Sequence, residues 1–114
     1  MSRCLFCQIS SKEIPSKEVY EDSIIYAFED INPKAPVHIL IVPKKHIESI
    51  AAITEEDKEI ILNAFIAANE IAGEKGIIKS GFRIVTNCGD DAGQSVSHLH
   101  FHLMGGRHMG WPPG

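Results

Sequence analysis

The strictest alternation of polar and apolar residues runs from His98 to Met104, where every second residue as far as His102 is a histidine. Alternation of period two is typical of a β-strand, whose side chains point to opposite faces in turn. We therefore expect one buried and one exposed face, with the three imidazoles on the same face about 6.6–7 Å apart. A structural strand gains nothing from a row of groups that titrate near neutral pH, so the pattern indicates a functional site.

A second apolar pattern, of helical period, spans residues 55–74. Thr54 can cap the N-terminus of this helix, and acidic residues follow in the first turn, where the helix dipole favours anions. Gly76 is a fitting stop signal just beyond the last turn. We expect the apolar stripe of the helix to face the core; it consists of Ile60, Ile61, Ala64, Phe65, Ala68, Ile71 and Ala72.

Shorter apolar runs predict a short helix and four more strands. Residues 4–10 can form the helix, and Val19 to Asp30 indicates two strands broken by turn residues. The run Val37 to Val42, closed by Pro43, predicts a third strand, and residues 82–87 predict a fourth before the histidine strand. Most connections are too short for parallel crossovers. The expected fold is therefore α+β, with a five-stranded antiparallel sheet, one long helix and a short N-terminal helix.

The length and net charge of the chain limit the classes of function that need to be considered. The 114 residues are expected to form a single domain, residues 1–114, with an irregular docked tail from about 105 to 114. The net charge of −4 argues against bulk nucleic-acid binding. Without a membrane-spanning apolar run or a secretory leader, a cytoplasmic protein with no membrane partner is expected. The three cysteines are an odd number, so a disulfide framework is not expected.

Several motifs together resemble the histidine triad (HIT) superfamily of nucleotide-binding hydrolases and transferases. The histidine strand matches its signature, in which three histidines alternate with apolar residues. The loop Gly93–Val96 is similar to its phosphate loop, and the ending Gly105–Gly114 is similar to that of the Hint branch, the purine nucleoside phosphoramidases, of bacterial type. The resemblance covers nearly the whole chain, because similar segments also occur at Lys12–Pro15, Phe28–Ile31 and Pro43–His46.

The resemblance implies that the middle histidine, His100, is the nucleophile. A neutral imidazole is a competent nucleophile at pH 7, and it would attack the α-phosphorus to form a nucleotidyl-histidine that water then hydrolyses. His102, His38 and Ser95 are implied to be catalytic residues around the α-phosphate. By itself, a lone histidine such as His38 is more often a core residue with satisfied hydrogen bonds.

The loop that precedes the histidines is a weak signal when taken alone. Gly93 permits close approach of the backbone to an anion and Ser95 offers a hydroxyl donor, but an ordinary hairpin loop would look the same. The resemblance adds Asn87 and Gln94 as further donors to the phosphate.

The resemblance also implies a ribose site and a purine slot. Asp30 occupies the ribose position, since one carboxylate can accept from two hydroxyls; otherwise it would be expected to cap the Asn-Pro turn that follows it. Four apolar residues match the purine slot and could equally be ordinary core, namely Phe6, Ile9, Ile14 and Phe28.

Cys4 and Cys7 form a Cys-x-x-Cys pair, which supplies two of the four ligands that a structural zinc site needs. Some bacterial members of the superfamily, and the related galactose-1-phosphate uridylyltransferases, add two histidines at positions that correspond to His46 and His98. The resemblance thus implies a structural zinc ion that the chemistry does not need. Two reduced cysteines in a short helix are the alternative.

The implied activity is a purine-nucleotide hydrolase or nucleotidyltransferase that cleaves nucleoside 5′-phosphoramidates, in which AMP or GMP is joined to an amine. The alternatives are dinucleoside polyphosphate hydrolysis and a nucleotide-binding adaptor with little turnover, and His100 argues against the adaptor. A triad that itself chelates a metal is a third interpretation, disfavoured because residues two apart on a flat strand converge poorly on one ion. The family also forms homodimers, which implies a second copy as partner.

Overall fold

The computed structural model describes residues 3–114. In these residues the five strands form one antiparallel sheet with the order β1-β2-β3-β5-β4. One long helix and one short N-terminal helix complete the fold, which confirms the predicted α+β architecture. The elements are α1 (Leu5–Ser10), β1 (Glu18–Glu21), β2 (Ile25–Glu29), β3 (Val37–Pro43), α2 (Lys58–Glu74), β4 (Phe82–Val85) and β5 (Phe101–Gly105).

The alternation along the central strand β3 sorts its side chains between two apolar clusters. Ile39 and Ile41 pack with α2 in the main core, whereas Leu40 and Val42 pack with Phe6 of α1 on the other face. Both faces of β3 are covered, which explains why its sequence is apolar almost throughout. The sheet therefore lies between the long helix and the short one.

The register of β3 with β5 places two histidines on one face of the sheet. His38 pairs with Met104, and His102 pairs with Leu40. Residues that pair directly share a face, so His38 and His102 are diagonal neighbours on the side covered by α1.

Two expectations about the histidine run are wrong. The strand begins at Phe101, so His98 and His100 precede it. These two side chains are also buried, with 0% and 4% exposure, because α1 covers this face of the sheet. The prediction that the histidines lie on one side is supported by their contacts: the Phe6 ring lies 6.0 Å from that of His98 and 5.0 Å from that of His100.

The long helix begins as its sequence indicates, but through a tighter turn. Thr54 and Asp57 form a capping box around a 3-10 turn, Glu55–Asp57, so α2 itself starts at Lys58. The helix ends before Gly76, whose φ of +71° permits the left-handed turn. Phe65 of the predicted stripe lies at the rim of the core, 43% exposed, with its ring 5.5 Å from Phe101.

The tail after β5 contains no helix or strand. The guanidinium of Arg83 donates to the carbonyl of Gly110 at 2.9 Å and ties the tail to β4. Trp111 is 82% exposed, so this side chain is not docked on its own chain. No helix among residues 3–114 has the length and apolar character needed to cross a lipid bilayer.

Candidate active site and metal centre

A hydrogen bond to the main chain orients the His100 ring. Its Nδ1 lies 2.7 Å from the carbonyl oxygen of His98. A carbonyl can only accept, so Nδ1 carries the proton and Nε2 keeps a lone pair. The backbone carbonyl of His100 accepts from the hydroxyl of Thr86 at 2.8 Å, which fixes the main chain at this residue. In the neutral ring, Nε2 is therefore the nitrogen whose lone pair is available to another group.

Two further histidines, His38 and His102, lie beside His100. The amide N–H of Lys34 donates to Nδ1 of His38 at 2.9 Å, so the proton of the neutral His38 ring is on Nε2. That N–H lies 2.9 Å from Nδ1 of His102 and 3.3 Å from a carboxylate oxygen of Asp30. Because Nδ1 of His102 accepts, its Nε2 carries a proton and can donate. His102 is thus a neutral donor whose ring centre is 5.2 Å from that of His100.

Burial keeps this pair uncharged. It lowers the pKa of His102 to about 4, helped by repulsion from charge on His100 and His38 and opposed by the Asp30 carboxylate. Burial also lowers the pKa of His38, an effect that Asp30 partly opposes. Both rings are therefore neutral near pH 7.

The same hydrogen bonds argue against a metal ion held by this pair. Potential ligand atoms of Asp30, His38 and His102 lie within 4.8 Å of one another. A metal would need the lone pair of His38 Nε2, but the Lys34 N–H holds the proton on that nitrogen. These hydrogen bonds therefore disfavour a metal ion at Asp30, His38 and His102, of which only His102 belongs to the triad.

The proposed ribose residue, Asp30, caps the turn that follows it. Its Oδ1 accepts from the amide of Asn32 at 2.8 Å, while Oδ2 is the oxygen near His38. The four proposed purine residues all belong to or pack against the apolar cluster between α1 and the sheet. They are Phe6, Ile9, Ile14 and Phe28, and Phe6 touches His100 edge-on.

The loop before the histidines is braced by Gln94. Its side-chain oxygen accepts from the amide of Gly89 at 3.0 Å, and its NH₂ group donates to the carbonyls of Glu48 at 2.7 Å and Val96 at 3.0 Å. Gly93 adopts a left-handed φ of +77°, and Ser95 is exposed. Asn87 is half-buried just after β4.

Two groups that support the site had not been foreseen. Thr86 is identifiable only once β4 is seen beside His100. The Lys34 group that binds His38 is a backbone N–H. Every residue except proline has this group, so the identity of residue 34 could not reveal it.

The four predicted metal ligands converge at the N-terminus of α1. Ligand atoms of Cys4, Cys7, His46 and His98 all lie within 4.8 Å of one another. The Nδ1 of His98 is 3.3 Å from the sulfur of Cys4 and 3.5 Å from that of Cys7, and Nδ1 of His46 is 3.5 Å from the sulfur of Cys7. Tetrahedral zinc, with bonds of about 2.3 Å to sulfur and 2.0–2.1 Å to nitrogen, separates such ligands by about 3.6 Å.

The orientation of His98 also fits metal ligation. Its Nε2 lies 2.8 Å from the carbonyl of Pro43 and donates to it, which leaves the lone pair on Nδ1, facing the sulfurs. Burial lowers the pKa of His98, and a histidine must be neutral to bind a metal. The donor set therefore fits a zinc ion.

Comparison with known proteins gives consistent matches. The family described as "Scavenger mRNA decapping enzyme C-term binding" matches residues 3–111. The chain is 46% identical to an uncharacterized HIT-like protein of Synechocystis sp., over 96% of each. It is 46% identical to a 14 kDa zinc-binding protein of Zea mays, over 99% of this chain and 89% of that protein. The crystal structure of a HIT family hydrolase from Legionella pneumophila superposes with a TM-score of 0.97 at 48% identity, over 98% of this chain and 100% of that one.

Proposed function

Because this chain belongs to the histidine triad superfamily and has the fold of its hydrolases, we propose that it is a Hint-type enzyme. It would cleave purine nucleoside 5′-phosphoramidates through a nucleotidyl-histidine. One observation carries this proposal: the hydrogen bond from His100 Nδ1 to the His98 carbonyl places the proton of the neutral ring on Nδ1 and its lone pair on Nε2. A binding protein has no need of a nucleophile prepared in this way.

The reaction has two displacements. Nε2 of His100 attacks the α-phosphorus, the P–N bond breaks, and the amine leaves with a proton taken from solvent. The His98 carbonyl stabilises the positive charge that develops on the His100 ring, since it accepts from Nδ1–H. Water then attacks the phosphorus, releases the nucleoside monophosphate and restores His100.

The remaining site residues bind and orient the nucleotide in this proposal. The Nε2–H of His102 donates to a phosphoryl oxygen, and His38 holds His102 in the required tautomer. Asn87, Ser95 and the backbone at Gly93 supply further donors. Since both N–H groups of Gln94 bind backbone carbonyls, Gln94 acts through the loop that it braces.

The sugar and the base bind on either side of the histidines in the same proposal. Asp30 accepts from the ribose hydroxyls. The purine lies against the apolar cluster under α1, which contains Phe6, Ile9, Ile14 and Phe28.

The test is release of AMP from adenosine 5′-phosphoramidate, measured with a chelator present. We expect His100→Ala to lose at least about a thousandfold in kcat, whereas His108→Ala, an exposed histidine of the tail, keeps full activity. Mass spectrometry of the quenched wild-type protein should show an AMP adduct on His100. Wild-type protein that binds AMP tightly without turnover would be an adaptor, and faster cleavage of a dinucleoside polyphosphate would favour the other hydrolase activity.

We also propose that the Cys4–Cys7–His46–His98 cluster holds structural zinc. The distances support this proposal, and a relative from Zea mays is named as a zinc-binding protein. A fully ligated ion would supply no chemistry here and would instead join α1 to the histidine segment. We expect one zinc per chain in the wild type and in Cys88→Ser, and none in the Cys4→Ser/Cys7→Ser double variant. A metal-free wild-type protein, purified without chelator, would refute the proposal.

A homodimer is the third proposal. Strand β4 is an edge of the sheet, and α2 exposes Leu62, Phe65 and Ile66 on its surface. An unpaired strand edge and an exposed apolar helix face are both surfaces that a two-fold contact can cover. Light scattering should give twice the chain mass for the wild type, and Leu62→Glu/Ile66→Glu should give the monomer. A wild-type monomer at micromolar concentration would exclude this dimer.

A further inference from the structure

Arg107 in the tail contacts Lys34, the residue whose amide binds His38. Its Nε donates to the carbonyl oxygen of Lys34 at 3.0 Å, across 73 positions of the chain. Gly106 makes this approach possible, since its φ is +91° and a Cβ there would lie 2.9 Å from Pro36. Any side chain at position 106 would push the tail away from the segment that contains Lys34.

The segment 31–36 has little regular structure of its own to hold Lys34. It lies outside the helices and strands and contains Pro33 and Pro36, which cannot donate a backbone hydrogen bond. Asp30 anchors its beginning through the amide of Asn32. The bond from Arg107 anchors it at the carbonyl of Lys34.

Lys34 in turn decides where the protons of the histidine pair lie. Its N–H donates to Nδ1 of His38, which leaves the proton on Nε2, directed at His102. If Lys34 moved away, the His38 ring could carry its proton on Nδ1 and could no longer donate to His102. His102 could then shift its own proton to Nδ1 and lose the Nε2–H donor.

We propose that Arg107 is a positioning residue: through the backbone of Lys34 it holds His38 and His102 in the tautomers that keep His102 Nε2 a donor. This inference rests on the proposed function for its effect on catalysis. Its structural part, the tautomer of His38, is measurable without any turnover.

The experiment compares Arg107→Met with Arg83→Met. Both arginines hold the tail, but the hydrogen bond of Arg83 goes to the carbonyl of Gly110 and not to that of Lys34. Methionine keeps much of the side-chain length and removes the donor. Histidine ring nitrogens labelled with ¹⁵N report by NMR which nitrogen of His38 carries the proton, and kcat and KM are measured on adenosine 5′-phosphoramidate.

We expect Arg107→Met to populate the Nδ1–H tautomer of His38 and to lower kcat about tenfold, with KM changed less than kcat. Arg107→Lys, which restores a donor, should recover part of kcat. Arg83→Met should match the wild type in both readouts.

An unchanged His38 tautomer in Arg107→Met would overturn the inference whatever the activity. An equal change in Arg83→Met would also overturn it, because general loosening of the tail would then be the cause. A shifted tautomer in a protein that cleaves no phosphoramidate would support the positioning role and refute the proposed function alone.

Discussion

The neutral state of the half-buried His102 predicts that the protein loses stability as the pH falls. Burial and the neighbouring histidines lower the pKa of His102 to about 4 in the folded protein, from an ordinary value of 6.5. Between these two pH values, the unfolded chain binds a proton that the folded chain does not. The free energy of unfolding therefore decreases on acidification through this range.

The size of the effect follows from the two pKa values. A difference of about 2.5 units corresponds to about 3 kcal/mol once the pH is below 4, and about 2 kcal/mol of this is already lost at pH 5. Well above pH 6.5 the ring is neutral in both states, so His102 causes no pH dependence there.

Urea unfolding at fixed protein concentration, from pH 7.5 to pH 4.5, measures this loss. His102→Asn cannot take up the proton, so its free energy of unfolding should fall by about 2 kcal/mol less than that of the wild type on going from pH 7.5 to pH 5. His108→Asn serves as the control, because His108 is exposed. Parallel curves for the wild type and His102→Asn would refute the reasoning.

Three further outcomes are expected. Thr54→Ala removes the hydroxyl of the capping box and should lower the free energy of unfolding by about 1 kcal/mol in urea. Gly105→Ala should lower the free energy of unfolding by about 1–3 kcal/mol, because a Cβ there would lie 2.7 Å from Cδ1 of Ile77. Adding Ile77→Val should restore part of this loss. A Gly105→Ala variant as stable as the wild type would contradict the geometry. Gln94→Glu keeps the acceptor but loses the donors to the Glu48 and Val96 carbonyls. It should therefore weaken AMP binding about tenfold, as measured by calorimetry. Unchanged binding would show that the loop does not need these hydrogen bonds.

The elements of the fold were predictable because each is set by local chemistry. The helical period and the cap at Thr54 lie within one stretch of chain, and the apolar runs of the strands are bounded by turn residues. The burial of His98 and His100 was not predictable in this way. The run looks half-exposed by its alternation, but α1, about 90 residues away in the sequence, covers the face on which His98 and His100 lie.

The composition of the site was also visible in the sequence, while its protonation states were not. The histidines and the Cys-x-x-Cys pair are side-chain identities, so the resemblance of the sequence to the superfamily could indicate which residues lie together in each cluster. The choice of reactive nitrogen on His100 depends on a backbone carbonyl, and the tautomer of His38 depends on a backbone N–H. The sequence determined which groups are available; the tertiary structure decided which atoms carry protons, because hydrogen bonds to the main chain depend on where it passes and not on which residue it belongs to.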